Sequence, residues 1–426
     1  MSAREVARRV LDRVDKGGAW ATLTLDAELG RSGLDERDRR LASELVYGVL
    51  RNRARIDRAL GAHADLSRTP PKIVTTLRVA AHQLLFLDRV PAYAAVDDAV
   101  AAARGIGGQK LGGFTNAVLR KITNTGEPPL PPEGRARIEV EYSMPAWIVD
   151  ELAGTVDAES LTPIAAAFAQ PPPMVARVNL RRGTRDALAA ELTELGVTAT
   201  PSEHVASALV LDGLGDPGKN AAFLAGRWTV QDTGAQLVGH FAQPRAGTKI
   251  LDACAGVGGK STHLAELVDD AATIDAADQS KTKLALCMHT AERLGLSSIT
   301  PRICDLTDPQ APLATDYDLI VLDAPCSGLG VLRRHPDAKW RLTPDTVPRL
   351  AGLQRQLLDA VVPRLAPGGM LIYSVCTFTR AEGPDQIAAL VARNAGTLEL
   401  VEERRTWPPD ADAFYVARLV KPRTTT

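Results

Sequence analysis

Apolar residues recur at three- and four-residue spacings through the first 125 residues, which is the pattern of amphipathic helices packed around one core. Pro70, Pro71 and Pro91 fall at helix starts or in turns, where a missing N–H costs little. We therefore expect residues 1–125 to form an all-helical bundle. The predicted helices cover 3–14, 38–50, 51–60, 72–87 and 94–104.

The pattern changes after the helical part. Residues 126–134 are rich in proline and poor in apolar residues, which predicts a linker. Residues 135–230 mix short strands and helices, and we expect them to form a small α+β module. Strand-like alternation marks 174–180 and 208–211, and a helical pattern marks 184–195.

Residues 231–422 alternate between strand and helix patterns, which is typical of a doubly wound, mostly parallel α/β sheet of the Rossmann-like kind. Ligands in such folds bind beyond the carboxyl ends of the strands. The sequence thus predicts a multidomain protein with its chemistry in the C-terminal domain. Predicted strands cover 249–253, 272–277, 317–322 and 370–375, and predicted helices cover 262–268, 280–294 and 346–365.

Charge is unevenly distributed, although the net charge of the 426 residues is only −1. Residues 1–125 carry 21 Lys and Arg against 14 Asp and Glu, or +7, which leaves 29 against 37, or −8, for the remainder. A basic first quarter favours an anionic partner such as nucleic acid. Solvated helix faces would give the same excess, so charge alone leaves both interpretations open.

Cysteine usage and hydropathy exclude several protein classes. The five cysteines lie between positions 254 and 376 without a Cys-x-x-Cys pair, so neither a disulfide framework nor a zinc ribbon is indicated, and no metal site is expected. No run of 18 apolar residues predicts a membrane span. The first ten residues carry scattered charges and lack the apolar core of a signal peptide. We expect a reduced, cytoplasmic protein, and a monomer.

A glycine-rich loop, Asp252-Ala-Cys-Ala-Gly-Val-Gly-Gly-Lys260, follows the first predicted strand and opens a helix. Three kinds of nucleotide ligand are candidates for such a loop. A dinucleotide fingerprint fails because Ser261 occupies the last glycine position, and a P-loop fails because Cys254 replaces the first glycine. The third candidate is S-adenosylmethionine, which has a ribose and a sulfonium but no phosphate.

Acidic residues follow the next two strands. Asp278 ends the second strand and is suited to bind ribose hydroxyls, and Asp305 follows the third, where it could bind an adenine amine. Either aspartate alone could be a helix N-cap. Acids at successive strand ends are not needed by a P-loop enzyme, so the pattern favours S-adenosylmethionine.

Two cysteines end neighbouring predicted strands, in Asp323-Ala-Pro-Cys326-Ser-Gly and in Tyr373-Ser-Val-Cys376-Thr. Carbon 5 of cytosine is a poor nucleophile until a thiolate adds at carbon 6. That addition needs a proton or strong hydrogen bond at the ring N3, a task for a carboxylic acid such as Asp323. A free cysteine is most often a small buried hydrophobe, and we assign that role to Cys287 and Cys304.

The whole chain resembles the RsmB (Sun/Fmu) branch of the RNA cytosine-5 methyltransferases. The first 125 residues resemble the NusB-like RNA-binding domain of that branch through 45–51 and 114–120. The matching segments of the remainder are 230–236, 251–263, 323–328, 333–340 and 373–377, with a weaker match at 413–419.

The resemblance implies roles for individual residues. Cys376 would be the nucleophile, and Cys326 would assist product release; the presence of both favours RNA over DNA. The substrate would be one cytidine of 16S ribosomal RNA. The cofactor, S-adenosylmethionine, would be bound by Cys254, Ala255, Gly256, Val257, Gly258, Gly259, Lys260, Asp278, Asp305 and Asp323.

The chain departs from the family pattern at two places. Gly256-Val257 replaces the usual Ala-Pro, which removes a rigid proline but adds backbone freedom, so we expect altered cofactor affinity at most. Ala413 replaces a glycine before the C-terminal aromatic pair.

Basic residues follow the Pro-Cys loop, where we expect them to contact RNA phosphates. They are Arg333, Arg334, His335, Lys339 and Arg341. Two alternatives to a ribosomal RNA methyltransferase stay open: the same chemistry on transfer RNA, and a non-catalytic RNA-binding scaffold.

Overall fold

The computed structural model describes residues 1–423, which form 17 helices and 11 strands in addition to short 3-10 turns. The first nine helices are α1 (Ala3–Gly17), α2 (Ala21–Ser32), α3 (Glu36–Arg51), α4 (Arg53–Gly61), α5 (Pro71–Phe86), α6 (Ala92–Thr125), α7 (Arg135–Glu141), α8 (Ala146–Ala153) and α9 (Ala158–Ala169). The later helices are α10 (Arg185–Glu194), α11 (Ala221–Leu224), α12 (Thr233–Ala242), α13 (Gly259–Leu267), α14 (Lys281–Leu294), α15 (Ala338–Arg341), α16 (Thr346–Val361) and α17 (Pro384–Arg393).

All of the strands follow the nine helices α1 to α9, and the first of them begins at Met174. They are β1 (Met174–Val178), β2 (Thr198–Pro201), β3 (Ala208–Asp212), β4 (Trp228–Val230), β5 (Lys249–Asp252), β6 (Thr273–Asp278), β7 (Ile299–Ile303), β8 (Tyr317–Asp323), β9 (Leu365–Val375), β10 (Glu399–Arg405) and β11 (Tyr415–Val420). The chain divides into two compact units, 1–171 with 332–343, and 172–331 with the remainder from Pro344.

The first unit is the helical bundle that the periodicity predicts. Helix α1 begins where the Ser2 hydroxyl accepts a hydrogen bond from the Glu5 N–H, and it ends before Gly18, whose φ is 94°. Leu45, Ile56 and other apolar side chains of α1 to α6 form one buried core. This part of the fold follows from the sequence because each helix has one apolar face.

Two features of the first unit differ from the prediction. Helix α6 continues to Thr125 after a break at Gly107 and Gly108, which are non-helical and explain why the predicted helix ended early. The compact unit also extends past the predicted linker, because α7 packs against α4 and is followed by α8 and α9. The predicted α+β module therefore begins with helices that belong to the bundle.

The second unit contains two sheets. The small antiparallel sheet has the strand order β2-β3-β1-β4 and is packed with α10 and α11 around Trp228. The large sheet has the order β10-β11-β9-β8-β5-β6-β7, in which β5 to β9 are parallel and β11 is antiparallel. Helices α12 to α14 cover one face of the large sheet, and α16 and α17 cover the other.

The order of the large sheet explains where its chemistry lies. The chain runs outward through β5, β6 and β7 and then returns to place β8 on the other side of β5. The loops on the two sides of that switch diverge and leave a crevice at the carboxyl edge. Asp252, Asp278, Asp323 and Val375 end four strands at this edge. No helix within residues 1–423 has the length and apolar character needed to cross a membrane.

Candidate active site

The glycine-rich loop runs from the end of β5 to the start of α13. The Ala253 N–H donates to the Val321 carbonyl at 2.8 Å, and the Ala255 N–H donates to the Ala277 carbonyl at 2.9 Å. The loop is thus fixed to the strands on both sides of β5. Gly258 has φ of 84°, and a Cβ there would lie 2.3 Å from the Cys287 Sγ, so only glycine fits.

Two predicted cofactor-binding carboxylates lie beside this loop. Asp278 Oδ2 accepts a hydrogen bond from the Gly256 N–H at 3.0 Å, and its Oδ1 accepts one from the Ser280 N–H at 2.7 Å. Asp305 is exposed and accepts from the Thr307 hydroxyl and N–H at 2.6 and 2.8 Å. The hydroxyl hydrogen bond is the main reason why the pKa of Asp305 lies below its usual value.

A cavity of about 440 Å³ joins the cofactor loop to both cysteines. Of the predicted cofactor residues, Cys254, Gly256, Asp278, Asp305 and Asp323 line it. The others do not line it, although they belong to the same loop or to the first turn of α13. They are Ala255, Val257, Gly258, Gly259 and Lys260.

The lining fits S-adenosylmethionine. Carboxylates at the ends of β6 and β7 can accept hydrogen bonds from hydroxyl and amine groups, and Leu306, Leu353 and Leu357 supply an apolar wall for a purine ring. The Cys254 thiol packs against the core below the loop, and burial raises its pKa, so it contributes shape rather than reactivity. Sequence reasoning missed Gln279 and Lys283, which also line the cavity.

Lys260 and Asp323 form an ion pair at the inner end of the site. Lys260 Nζ lies 2.5 Å from Asp323 Oδ2, and the Ser374 hydroxyl donates to Asp323 Oδ1 at 2.7 Å. Burial disfavours the charged lysine, but the charge of Asp323, the hydrogen bond to it and the nearby charge of Asp252 together outweigh burial and raise the pKa of Lys260. The sequence left open whether Lys260 contacts a cofactor or an aspartate, and the structure shows the aspartate contact.

The two predicted cysteines are adjacent. Cys326 follows β8 and Cys376 follows β9, and these parallel neighbours pair Asp323 with Ser374 in register. The two sulfur atoms are 3.3 Å apart. The hydrogen bond with Cys376 and burial both raise the pKa of Cys326 well above its usual value. Cys326 is therefore a protonated thiol at neutral pH.

A buried carboxylate that sequence reasoning missed fixes the Pro-Cys loop. Glu382 is fully buried and accepts hydrogen bonds from the Ser327 N–H at 2.7 Å and the Ser327 hydroxyl at 2.5 Å. The Gln354 amide joins Glu382 to the Pro325 carbonyl, and Thr379 donates to the second oxygen. Nothing in the spacing of Glu382 from either cysteine signals this contact.

Arg177 of β1 was also missed. Its fully buried guanidinium makes two hydrogen bonds to Glu266 at 2.8 and 3.0 Å and donates to the Gly259 carbonyl at 2.8 Å. It also donates to Gln231, which lies in one of the segments that carry the family resemblance. The small sheet thereby holds the first turn of α13, from which the cofactor loop extends.

Two of the basic residues after the Pro-Cys loop are buried and therefore not available to RNA, which corrects the prediction for Arg333 and Lys339. Their segment, Leu332–Thr343, belongs to the first unit, where Arg333 and Lys339 are each only 3% exposed. Lys339 Nζ donates to two backbone carbonyls, and the Trp340 indole donates to the Leu50 carbonyl at 2.8 Å. A run of charges looks like a solvated loop in sequence, and burial by other helices carries no local signal.

No cluster of three metal-ligating side chains occurs among the residues that the structure describes.

Comparison with known families matches residues 240–420 to the model "16S rRNA methyltransferase RsmB/F". Residues 1–124 match the NusB family, and residues 144–216 match the ferredoxin-like domain of RsmF/B-like methyltransferases.

Relatives cover nearly the whole chain. The ribosomal RNA small subunit methyltransferase B of Pseudomonas putida is 35% identical over 439 residues, with 99% of each chain covered. The enzyme of the same name from Vibrio cholerae is 35% identical over 432 residues, covering 99% of this chain and 98% of its own.

Solved structures share the fold. The crystal structure of PH0851 has a TM-score of 0.83 at 23% identity and covers 99% of this chain and 98% of its own. NSun6 from Pyrococcus horikoshii, solved with the S-adenosylmethionine analogue SFG, has a TM-score of 0.59 at 20% identity and covers 65% and 98%. The fold class and the resemblance are confirmed, and the chain belongs to the RsmB/F family of 16S rRNA methyltransferases, which use S-adenosylmethionine.

Proposed function

We propose that this protein methylates carbon 5 of one cytidine in 16S ribosomal RNA, with Cys376 as nucleophile, Cys326 as the release thiol and Asp323 as the acid at the ring. The observation that carries the proposal is the pair of sulfur atoms 3.3 Å apart at the ends of β8 and β9. Structural cysteines need no such arrangement beside a carboxylate and a cofactor cavity.

Cys376 is assigned the nucleophilic role. Its thiolate adds to carbon 6 of the base, which moves electron density to carbon 5. The Cys326 thiol, which is protonated at neutral pH, can donate a hydrogen bond to the Cys376 sulfur across the 3.3 Å gap. S-adenosylmethionine, when bound, supplies the methyl group to carbon 5.

Asp323 is assigned to the ring N3, where a proton or strong hydrogen bond stabilises the adduct. Lys260 donates to one of its oxygens and Ser374 to the other, which fixes its orientation. Carbon 5 must then lose its proton to a base so that the carbon 6–sulfur bond can break. Cys326 lies against the departing Cys376 sulfur and is the group that assists this release.

The proposed substrate follows from the family and from the basic, NusB-like first unit. Bisulfite sequencing of ribosomal and transfer RNA from cells with the gene intact, deleted or carrying Cys376→Ala tests it. Loss of one protected 16S cytidine in both mutant strains is the expected result. Loss at a transfer RNA position would keep the mechanism and refute the substrate, and no loss anywhere would favour the scaffold alternative.

The roles of the two cysteines are separated by trapping the adduct. With a methylatable RNA and cofactor, Cys326→Ala should accumulate a protein–RNA adduct that survives a denaturing gel, because release is blocked. The double variant Cys326→Ala/Cys376→Ala should form none. An adduct that persists in the double variant, or that forms only when Cys326 is present, would assign the nucleophile to another residue.

A further inference from the structure

A second cavity of about 670 Å³ lies in the second unit, apart from the cofactor cavity. We call it the Trp407 cavity; it is bounded by α12, the end of β10, the loop from 406 to 411 and β11. Its wall includes Arg404, Arg405, Arg418, Phe241 and Trp407. Its volume is within the range of sites that bind a small molecule or one nucleotide.

The wall of this cavity is hydrogen-bonded to the backbone that carries the proposed nucleophile. The Gly330 N–H donates to the Cys376 carbonyl at 3.0 Å, and the Ala413 N–H donates to the Gly330 carbonyl at 3.0 Å. Arg405 donates to the Phe378 carbonyl, two residues beyond Cys376, at 3.1 Å. The backbone from Cys376 to Phe378 thus leads from the proposed nucleophile to the wall of this cavity.

The charged groups of the wall suit a phosphate. Arg404 and Arg418 share the carboxylate of Glu402, and the other carboxylate of the wall, Asp410, lies 3.7 Å from His204, so three arginines face two acidic groups. Within residues 1–423, Arg405 forms no ion pair within 4.0 Å and is held by a carbonyl instead. Guanidinium groups of this kind bind phosphate oxygens well, because their donors match the geometry of the anion.

The aromatic groups of the wall suit a base. Trp407 is half-buried and packs against Phe378 with ring centroids 6.2 Å apart and planes inclined by 27°. Phe241 lies below the guanidinium groups of Arg418 and Arg404, at 4.9 and 5.6 Å from its ring centre. Aromatic rings beside arginines are the usual lining of single-stranded RNA sites.

We propose that the Trp407 cavity binds one ribonucleotide of the RNA substrate next to the target cytidine, with its base against Trp407 and its phosphate beside Arg404 and Arg405. The proposal rests on the proposed function, since it assigns a subsite to the same substrate. It also explains why the cavity opens beside the segment that follows Cys376.

Steady-state kinetics on a 16S rRNA fragment test the subsite. Trp407→Ala should raise the KM for RNA about tenfold, as expected for one lost base stack, with little change in kcat or in the KM for S-adenosylmethionine. Trp407→Phe, which keeps an aromatic face, should retain most of the affinity. A fall in kcat alone, without a change in the KM for RNA, would show a merely structural role for the loop and overturn the proposal.

Charge removal gives a second test. Arg404→Gln should reduce the slope of log affinity against log salt by about 1. Arg355→Gln on α16 is the matched control, because Arg355 is 62% exposed and paired with a carboxylate, as Arg404 is at 65%. Equal slopes for the parent protein and both variants would contradict the phosphate contact.

Cross-linking separates this proposal from the proposed function. RNA that carries 4-thiouridine beside the target position should cross-link to the peptide containing Trp407 in the parent protein. If the parent protein methylates no RNA, the proposed function fails and the cross-link alone decides whether the cavity holds RNA. Cross-links confined to other peptides would overturn the proposal even if methylation is observed.

Discussion

Replacing Glu382 tests whether the hydrogen-bond network under the Pro-Cys loop positions the chemistry. In Glu382→Ala, the buried Ser327 N–H loses the acceptor at 2.7 Å, at a cost of about 1–3 kcal/mol for a stranded donor. Hydrogen bonds from the Ser327 hydroxyl, Thr379 and Gln354 are lost as well, each contributing about 1 kcal/mol. We expect a destabilisation of about 4–6 kcal/mol.

Glu382→Gln should be much milder. The amide oxygen can still accept from the Ser327 N–H, and the Ser327 and Thr379 hydroxyls can rotate to accept from the amide nitrogen. Loss of the charge weakens these bonds, but a buried neutral group also costs less desolvation. We therefore expect a loss of at most about 2 kcal/mol.

Thermal unfolding and methyl transfer together measure this difference. At roughly 2 °C per kcal/mol for a unit of this size, Glu382→Ala should lower the Tm by about 8–12 °C. It should also slow methyl transfer, because Cys326 is no longer held. The exposed Glu399 supplies the control, and Glu399→Ala should leave both quantities near their parent values. Equal, small effects of the Ala and Gln variants would refute the assigned network.

Three further predictions concern buried charge and the cofactor loop. Burial raises the pKa of Asp252 from 3.8 to about 6, so the folded state binds its proton more tightly and stability falls as pH rises through that window. In urea unfolding, the free energy of unfolding of Asp252→Asn relative to the parent protein should rise by up to about 3 kcal/mol from pH 4 to pH values above 6. A difference between the two proteins that does not change with pH would contradict this. Burial lowers the pKa of Lys339 from 10.5 to about 7, so the parent protein gains stability as pH rises from 7 to 10.5. The stability of Lys339→Met relative to the parent should therefore be greatest near pH 7 and should shrink as pH approaches 10.5, above which the lysine is neutral in both states. The salt dependence of RNA binding should not change. Gly258→Ala should weaken S-adenosylmethionine binding in calorimetry more than Gly256→Ala. A Cβ at 258 would lie 2.3 Å from the Cys287 Sγ, whereas one at 256 would come no closer than 4.0 Å, to the Cys254 carbonyl oxygen. The reverse order would contradict the assigned loop geometry.

The sequence predicts those parts of the fold whose pattern is local. The core strands β5, β6 and β8 were placed within a residue or two because each is an apolar run that ends in a polar loop. Strands β10 and β11 were missed. β10 is mostly polar and exposed, because it is the edge strand and pairs only with β11. Exposure on an edge removes the apolar alternation on which the prediction depends.

The same limit applies to the site. Asp278, Asp323, Cys326 and Cys376 were predicted because they end strands of one parallel sheet, and parallel strands bring their carboxyl ends together. Glu382 lies in a loop beyond β9, so its contact with Ser327 depends on how two loops fold over one another. Residues that act through tertiary contacts alone leave no periodic signal in the chain.

The two ends of the Pro-Cys loop have different surroundings, which bears on how Cys326 is held. Six residues after Cys326 the chain enters the segment 332–343, whose Lys339 and Trp340 are hydrogen-bonded within the helical unit. Glu382 binds both the N–H and the hydroxyl of Ser327, directly after Cys326. These bonds fix the residue next to Cys326 and thereby hold the Cys326 sulfur 3.3 Å from the Cys376 sulfur.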